Sequence, residues 1–238
     1  FLEMLSKAGV IVHFFGYYEN YIGTFYPKDY LLSGKLIIKQ AMAYSQNEKR
    51  MYIAKAIVAG IADNIYTVLY HYYRHNKIEL KPFLDWLRKD VHTLIGKVSD
   101  IKRLLSIEGE IWAQFYNTFR IILPEKFWLS KRVKRPPDNP INALISFGNT
   151  LLYTKTITEI YHTHLDPRIG FLHATNMRRF TLNLDVAEIF KPIIADRVIF
   201  SLVNKGMIKK EHFEQKLDGI VLNEKGRQIV VAQIDEKL

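Results

Sequence analysis

The stretch "NEKRMYIAKAIVAGIADNIYTVLYHYYRH", Asn47 to His75, constrains the fold more than any other part of the chain. Ile53, Ile57, Ile61, Ile65 and Leu69 recur every fourth residue and no proline interrupts them. That period places them along one stripe of a single long helix. An apolar stripe of this length must be covered by other elements, so the chain has to supply partner helices.

The rest of the sequence supplies them. From Leu36 onward the period is helical. Further helices are predicted near Pro82 to Lys97, from a cap at Ser99 or Asp100 to about Ile122, from Asn139 and Pro140 through Tyr161, from about Leu184 to Asn204 with a kink at Pro192, and after a cap at Asn223. Only the opening differs. Leu2 to Lys7 reads as a short helix, and "VIVHFF" and "YIGTFY" read as two strands of a hairpin across Tyr17 to Asn20. Two strands make no stable sheet alone, and the chain starts at Phe1 in what reads as mid-domain. The hairpin therefore calls for strands upstream or on another chain, and the expected architecture from Leu36 onward is mainly α.

Composition narrows the function classes. The 238 residues contain no cysteine, which excludes disulfides and thiolate metal sites and gives no reason to expect secretion, so a cytoplasmic protein is expected. The most hydrophobic long segment, Ile53 to Tyr73, carries Lys55, Asp63 and His71, so no uncharged run of about 18 residues is available for a membrane span, and no membrane association is expected. Lys and Arg number 34 against 24 Asp and Glu, a net charge of +10 that favours an anionic partner such as nucleic acid.

Three segments carry chemistry. Glu108 lies on the same helix face as Trp112, Phe115 and Phe119, and a carboxylate in an aromatic stripe must be paired, protonated or metal-bound. His173 stands in the apolar, strand-like "IGFLHA", where a satisfied core histidine is the plainer reading. Asp185 and Glu188 share a face of the following helix, where acids can also serve only the helix dipole. Taken together, two carboxylates and an imidazole form a hard-oxygen site suited to Mg²⁺ or Mn²⁺. Arg178, Arg179 and Lys191 stand beside it in the sequence, and the loop "PEKFWLSKRVKRPPDNP" adds Lys131, Arg132, Lys134 and Arg135. A divalent ion beside cations suits phosphodiester chemistry on DNA. His162 and His164, with Asp166, offer a competing H-x-H that reads better as exposed histidines at a helix end.

Four stretches in this order resemble the CRISPR-associated adaptation integrase, the Cas-one family. They are "IEG" (Ile107 to Gly109), "RVKRPPDNPINALISFGNTLLY" (Arg132 to Tyr153), "LDPRIGFLH" (Leu165 to His173) and "LNLDVAEIFKPIIADR" (Leu182 to Arg197). The resemblance implies a small N-terminal β domain, with residues 1–33 as its last piece, followed by a helical catalytic domain, residues 34–238. It implies Glu108, His173 and Glu188 as catalytic metal ligands, with Mn²⁺ or Mg²⁺ as cofactor. Asp185 is then expected to orient a ligand or a metal-bound water. The implied activity is endonuclease and integrase: the 3′-hydroxyl of a captured DNA fragment is joined to the CRISPR repeat, and the protein works as a homodimer with a Cas-two partner. Trp112 stands where the family commonly has a small residue. A non-catalytic helical module that binds nucleic acid through the basic loop is the alternative from a different class, and an oligomerisation scaffold is a weaker third.

Overall fold

The computed structural model describes residues 1–16, 21–27, 33–129, 131–133, 136–175, 180–216 and 219–237. Helix α1 (Leu2–Lys7) leads into β1 (Val12–Phe15), which pairs antiparallel with β2 (Tyr21–Phe25) from Val12 opposite Phe25 to Phe14 opposite Gly23. This is the hairpin expected from the apolar alternation; its connecting residues 17–20 lie outside the described residues. The His13 ring fastens it to the helical body, bridging Thr24 Oγ1 at 2.7 Å and Thr158 Oγ1 at 2.8 Å.

Helix α2 (Gly34–Ser45) opens on Ser33, whose hydroxyl accepts the Leu36 N–H at 3.3 Å. Helix α3 (Asn47–Arg74) follows, 28 residues long. Ile57, Ile61, Ile65 and Leu69 are buried as their spacing requires, and Ile53 is half-buried. By length and composition alone α3 is apolar enough to cross a membrane, which the charges within it argued against in the sequence. Asp63 is exposed on its outer face and the Lys55 ammonium donates to the Gly96 carbonyl at 2.8 Å, so its polar groups leave the stripe clean. Its buried side is the centre of the core.

Helices α4 (Lys81–Trp86) and α5 (His92–Lys97) continue through a π turn, Leu87–Val91, where a single helix was expected. Helix α6 (Ile101–Asn117) is capped by Asp100, whose carboxylate accepts the Arg103 N–H at 2.9 Å. The periodicity continues to Ile122, but the Thr118 hydroxyl donates to the Phe115 carbonyl at 2.6 Å and interrupts the helix before α7 (Phe119–Ile122). Helix α8 (Pro140–Tyr161) has the expected bounds: Asn139 accepts the Asn142 N–H at 2.9 Å, and Pro140 fills the first position, where no N–H is needed.

Helix α9 (Thr181–Phe190) begins three residues before the expected Leu184, and the expected kink follows at Pro192 as a π turn, Pro192–Asp196, before α10 (Arg197–Asn204). A second hairpin, β3 (Phe213–Lys216) with β4 (Gly219–Leu222), was not foreseen from the sequence; α11 (Glu224–Lys237) closes the chain after Asn223 as expected. Helix α3 packs against α6, α9 and the π turn after Phe190, and α8 packs against the other side of α9. Phe119 meets Phe115 and Phe200 edge to face at 5.3 and 4.7 Å between ring centroids, joining α6, α7 and α10 in one core. The fold is mainly helical, as expected, with two small hairpins.

Candidate metal centre

The segment before His173 is held by the side chains of Gln40, Arg50 and Thr181. The Gln40 side chain of α2 donates to the carbonyls of Asp166 and Ile169 at 3.0 and 2.8 Å and accepts the Asp166 N–H at 2.9 Å. Arg50 of α3 donates Nε–H to the Phe171 carbonyl at 2.9 Å. The Thr181 hydroxyl accepts the Gly170 N–H and donates to the Arg168 carbonyl, at 2.9 and 2.7 Å. A Cβ on Gly170 would fall 2.6 Å from the Thr181 carbonyl carbon, so only glycine lets this loop lie against the start of α9. No strand forms around His173, contrary to the strand-like reading. The Phe171, Leu172 and His173 amides are spent on a side chain instead.

That side chain is Asp185, which is 0% exposed. Its carboxylate accepts the N–H groups of Phe171, Leu172 and His173 at 2.5, 2.9 and 3.0 Å and a fourth bond from His173 Nδ1 at 2.8 Å. This fixes the ring and leaves Nε2 to accept a ligand. The plainer reading, an acid serving the helix dipole, does not hold for Asp185, because the first turn of α9 contains no acidic residue.

Glu108, from α6, and Glu188, from α9, approach the same histidine closely enough for both to interact with it electrostatically. Burial raises the Glu108 carboxyl above the usual range and the neighbouring Glu188 charge raises it further, against the pull of His173 and Lys191. Burial alone would depress the His173 imidazole, but the Asp185 hydrogen bond and the Asp185, Glu108 and Glu188 charges outweigh it, so it is raised. The three expected ligands thus converge from α6, the loop and α9. Glu188 Oε2 is taken by Lys191 Nζ at 2.8 Å, and that ammonium also lies 4.0 Å from the centre of the Trp112 ring. Behind this pair is Asp196, which the sequence reading overlooked. It is 0% exposed, neither carboxylate oxygen has a hydrogen-bond partner among the described residues, and burial pushes its carboxyl up to about 7.

Two of the expected DNA contacts have other duties. Arg132 turns inward: its guanidinium donates to the Val133 carbonyl at 2.5 Å and to Asn142 Oδ1 and Ser146 Oγ at 3.1 Å each, and buried Asn142 also holds the Lys131 carbonyl and Asp138. Lys191 is nearly enclosed at 12% side-chain exposure, so here it serves Glu188 and not an outer phosphate. Both were read as backbone contacts because a charge in a loop or at a helix end is usually solvated. Lys131 is exposed as expected. Lys134, Arg135, Arg178 and Arg179 lie outside the described residues. In the competing H-x-H, His162 lies 3.8 Å from Glu159, while Asp166 is bound by Arg168 at 2.6 Å and so offers no ligand set.

The donor chemistry fits a divalent ion. A buried Glu108 carboxyl raised by its burial and by the neighbouring Glu188 charge, and an imidazole with Nδ1 already committed, are what such an ion would satisfy. Among the described residues no three acidic or histidine side chains are already gathered in ligand geometry, and Glu188 is held by Lys191.

A family model described as "CRISPR associated protein Cas1" matches residues 1–236. A CRISPR-associated endonuclease Cas1 from Thermodesulfovibrio yellowstonii is 54% identical over 238 residues, which is 100% of this chain and 72% of the relative. Its counterpart from Thermotoga maritima is 42% identical over 239 residues, covering 100% of this chain and 72% of that protein. The solved structure of a CAS1 protein from Thermotoga maritima superposes with a TM-score of 0.88 at 42% identity, over 99% of this chain and 73% of that one.

Proposed function

This chain belongs to the CRISPR-associated Cas1 family, and we propose from that premise that it is a metal-dependent DNA endonuclease and integrase of spacer acquisition. The reaction is a phosphodiester transesterification in which the 3′-hydroxyl of a captured fragment attacks a phosphate of the CRISPR repeat, one P–O bond forming as another breaks and the repeat strand leaves on its own hydroxyl, or a cleavage when water is the nucleophile. The protein acts as a homodimer with a Cas2 partner.

The observation that carries the reading is the set of four hydrogen bonds that hold His173 and its loop on buried Asp185. A histidine locked at Nδ1, beside two mutually repelling carboxylates, is built to present Nε2 to a cation. Glu108, His173 and Glu188 would hold Mn²⁺ or Mg²⁺. Such an ion, when bound, polarises a phosphoryl oxygen and stabilises charge developing on it. The chain's own groups do the rest. Asp185 keeps the imidazole in one tautomer and orientation. Gln40, Arg50 and Thr181 keep its loop from moving. Lys131, with Lys134, Arg135, Arg178 and Arg179, holds the DNA backbone in register.

Strand transfer on a branched DNA substrate, with EDTA and then excess Mn²⁺, tests this directly. EDTA is expected to abolish activity and Mn²⁺ to restore it. Glu108→Ala, His173→Ala and Glu188→Ala are each expected to lose cleavage and strand transfer while still retarding DNA. Near-normal turnover in Mn²⁺ by any of the three would remove that residue from the ligand set.

A further inference from the structure

Glu188 cannot give its carboxylate to a cation and keep Lys191 as its neutralising partner on the same terms. The ammonium has nowhere open to go. Its side chain is 12% exposed, Trp112 lies under it at 4.0 Å, and the Glu188 oxygen holds it at 2.8 Å. A desolvated ammonium without a counter-ion is strongly disfavoured, so its release from Glu188 requires a second acceptor inside the protein.

The π turn supplies one. Asp196 donates its N–H to the Lys191 carbonyl at 3.0 Å, so the two residues are joined through one π turn. Pro192 opens that turn and has no N–H to continue α9. The Asp196 carboxylate is fully buried, neither of its oxygens has a hydrogen-bond partner among the described residues, and it interacts electrostatically with Lys191, Glu188 and Arg132. Arg132 makes no hydrogen bond to it: its terminal nitrogens turn to Val133, Asn142 and Ser146, and its buried Nε–H is itself without a partner among the described residues. A buried carboxylate left wholly unpartnered is rare in a folded protein and calls for a role.

We propose that Asp196 is a positioning residue that receives the Lys191 ammonium from Glu188 when Glu188 turns to a divalent ion, so that the pair Lys191–Asp196 replaces Lys191–Glu188. This rests on the reading of Glu108, His173 and Glu188 as metal ligands. Asp196 touches neither ion nor DNA. It sets the free energy of releasing a ligand, through a lysine that would otherwise compete with the metal.

Calorimetric titration of the intact chain with Mn²⁺ alone, without DNA, tests the exchange. Asp196→Asn keeps the shape but cannot neutralise an ammonium, so its Mn²⁺ Kd is expected to rise by about 10–100-fold, as for other groups that orient ligands. Lys191→Met removes the competitor and is expected to bind Mn²⁺ at least as tightly as the wild type. The double variant is expected to return to within about threefold of Lys191→Met, because Asp196 has no ammonium left to receive; a threefold change in Kd is small against the expected effect. A purely structural Asp196 would not show that rescue. Wild-type affinity in Asp196→Asn overturns the proposal, as does a double variant as weak as Asp196→Asn, or weakened binding in Lys191→Met. Should the wild type itself bind no Mn²⁺, the metal reading fails first and the exchange falls with it.

Discussion

Asp185 Oδ1 accepts both the backbone N–H and the ring Nδ1–H of His173, at 3.0 and 2.8 Å, from a position with no exposure to solvent. One oxygen therefore fixes both the main chain and the side chain of the residue expected to bind the ion. Asp185 Oδ2 holds the two preceding amides, so the carboxylate sets the loop and the ligand together.

Asp185→Asn is expected to damage function in a graded way. An amide presents an NH₂ where an N–H or Nδ1–H must be accepted, so one side of the arrangement is lost. Activity is expected to fall by about 10–100-fold with the ion still bound. Asp185→Ala leaves three amides and a ring nitrogen to find other acceptors and is expected to cost about 3 kcal/mol or more of folding stability, given about 1.5–3 kcal/mol for a bond to a charged group. Urea unfolding of both variants, beside Mn²⁺ titration, checks the split. If Asp185→Asn loses the ion while Glu188→Gln keeps it, the two acids have exchanged roles.

Stability of the metal-free protein is expected to fall as pH rises from about 4 to about 7. Burial raises the Asp196 carboxyl from 3.8 to about 7 in the folded state, so between those values the folded protein binds the proton that the unfolded chain has lost. Stability then decreases with pH across that window and levels above it, by at most a few kcal/mol at about 1.4 kcal/mol per pH unit. Chelated protein unfolded in urea at several pH values should show this slope, and Asp196→Asn should flatten it. Parallel curves for the two proteins would assign the slope to other groups.

Lys131 and Arg132, the two described residues among the expected DNA contacts of the basic loop, should separate. Lys131 is exposed, so Lys131→Ala is expected to weaken binding to all duplex sequences alike and lower the log–log salt slope by about 0.9, with no change in stability. Arg132 holds Val133, Asn142 and Ser146, so Arg132→Ala is expected to destabilise the fold by about 1–3 kcal/mol. Salt-dependent DNA binding and thermal unfolding, measured on both variants, decide it. A reduced salt slope with unchanged stability in Arg132→Ala would show that the arginine turns outward on DNA.

What the sequence revealed, and what it hid, divides by range of interaction. The bounds of α8 were legible because Asn139, Pro140 and the apolar residues up to Tyr161 act locally. The grouping of Glu108, His173 and an acid of α9 was suggested by residue chemistry, but the choice of Glu188 over Asp185 came from the resemblance, since how the three approach one another depends on how α6, α9 and the loop pack. Asp185 stood between cap and ligand because nothing nearby in sequence shows that three amides twelve to fourteen residues earlier would turn to it. Asp196 and the inward turn of Arg132 left no periodic signal at all. The β3–β4 hairpin was hidden for a related reason: "FEQK" is too short and polar to announce a strand, and its partner is anchored from outside by the Ile220 N–H to the Pro137 carbonyl at 2.9 Å.

Anomalous diffraction from crystals soaked in Mn²⁺ tests the central claim most directly. The account predicts one strong manganese peak within about 2.0–2.3 Å of His173 Nε2 and of oxygens of Glu108 and Glu188, with Asp185 still on His173 Nδ1, distances expected for first-row divalent ions. A peak on Asp185 or Asp196 with Glu188 still bound to Lys191, or no peak at concentrations that support strand transfer, would contradict it.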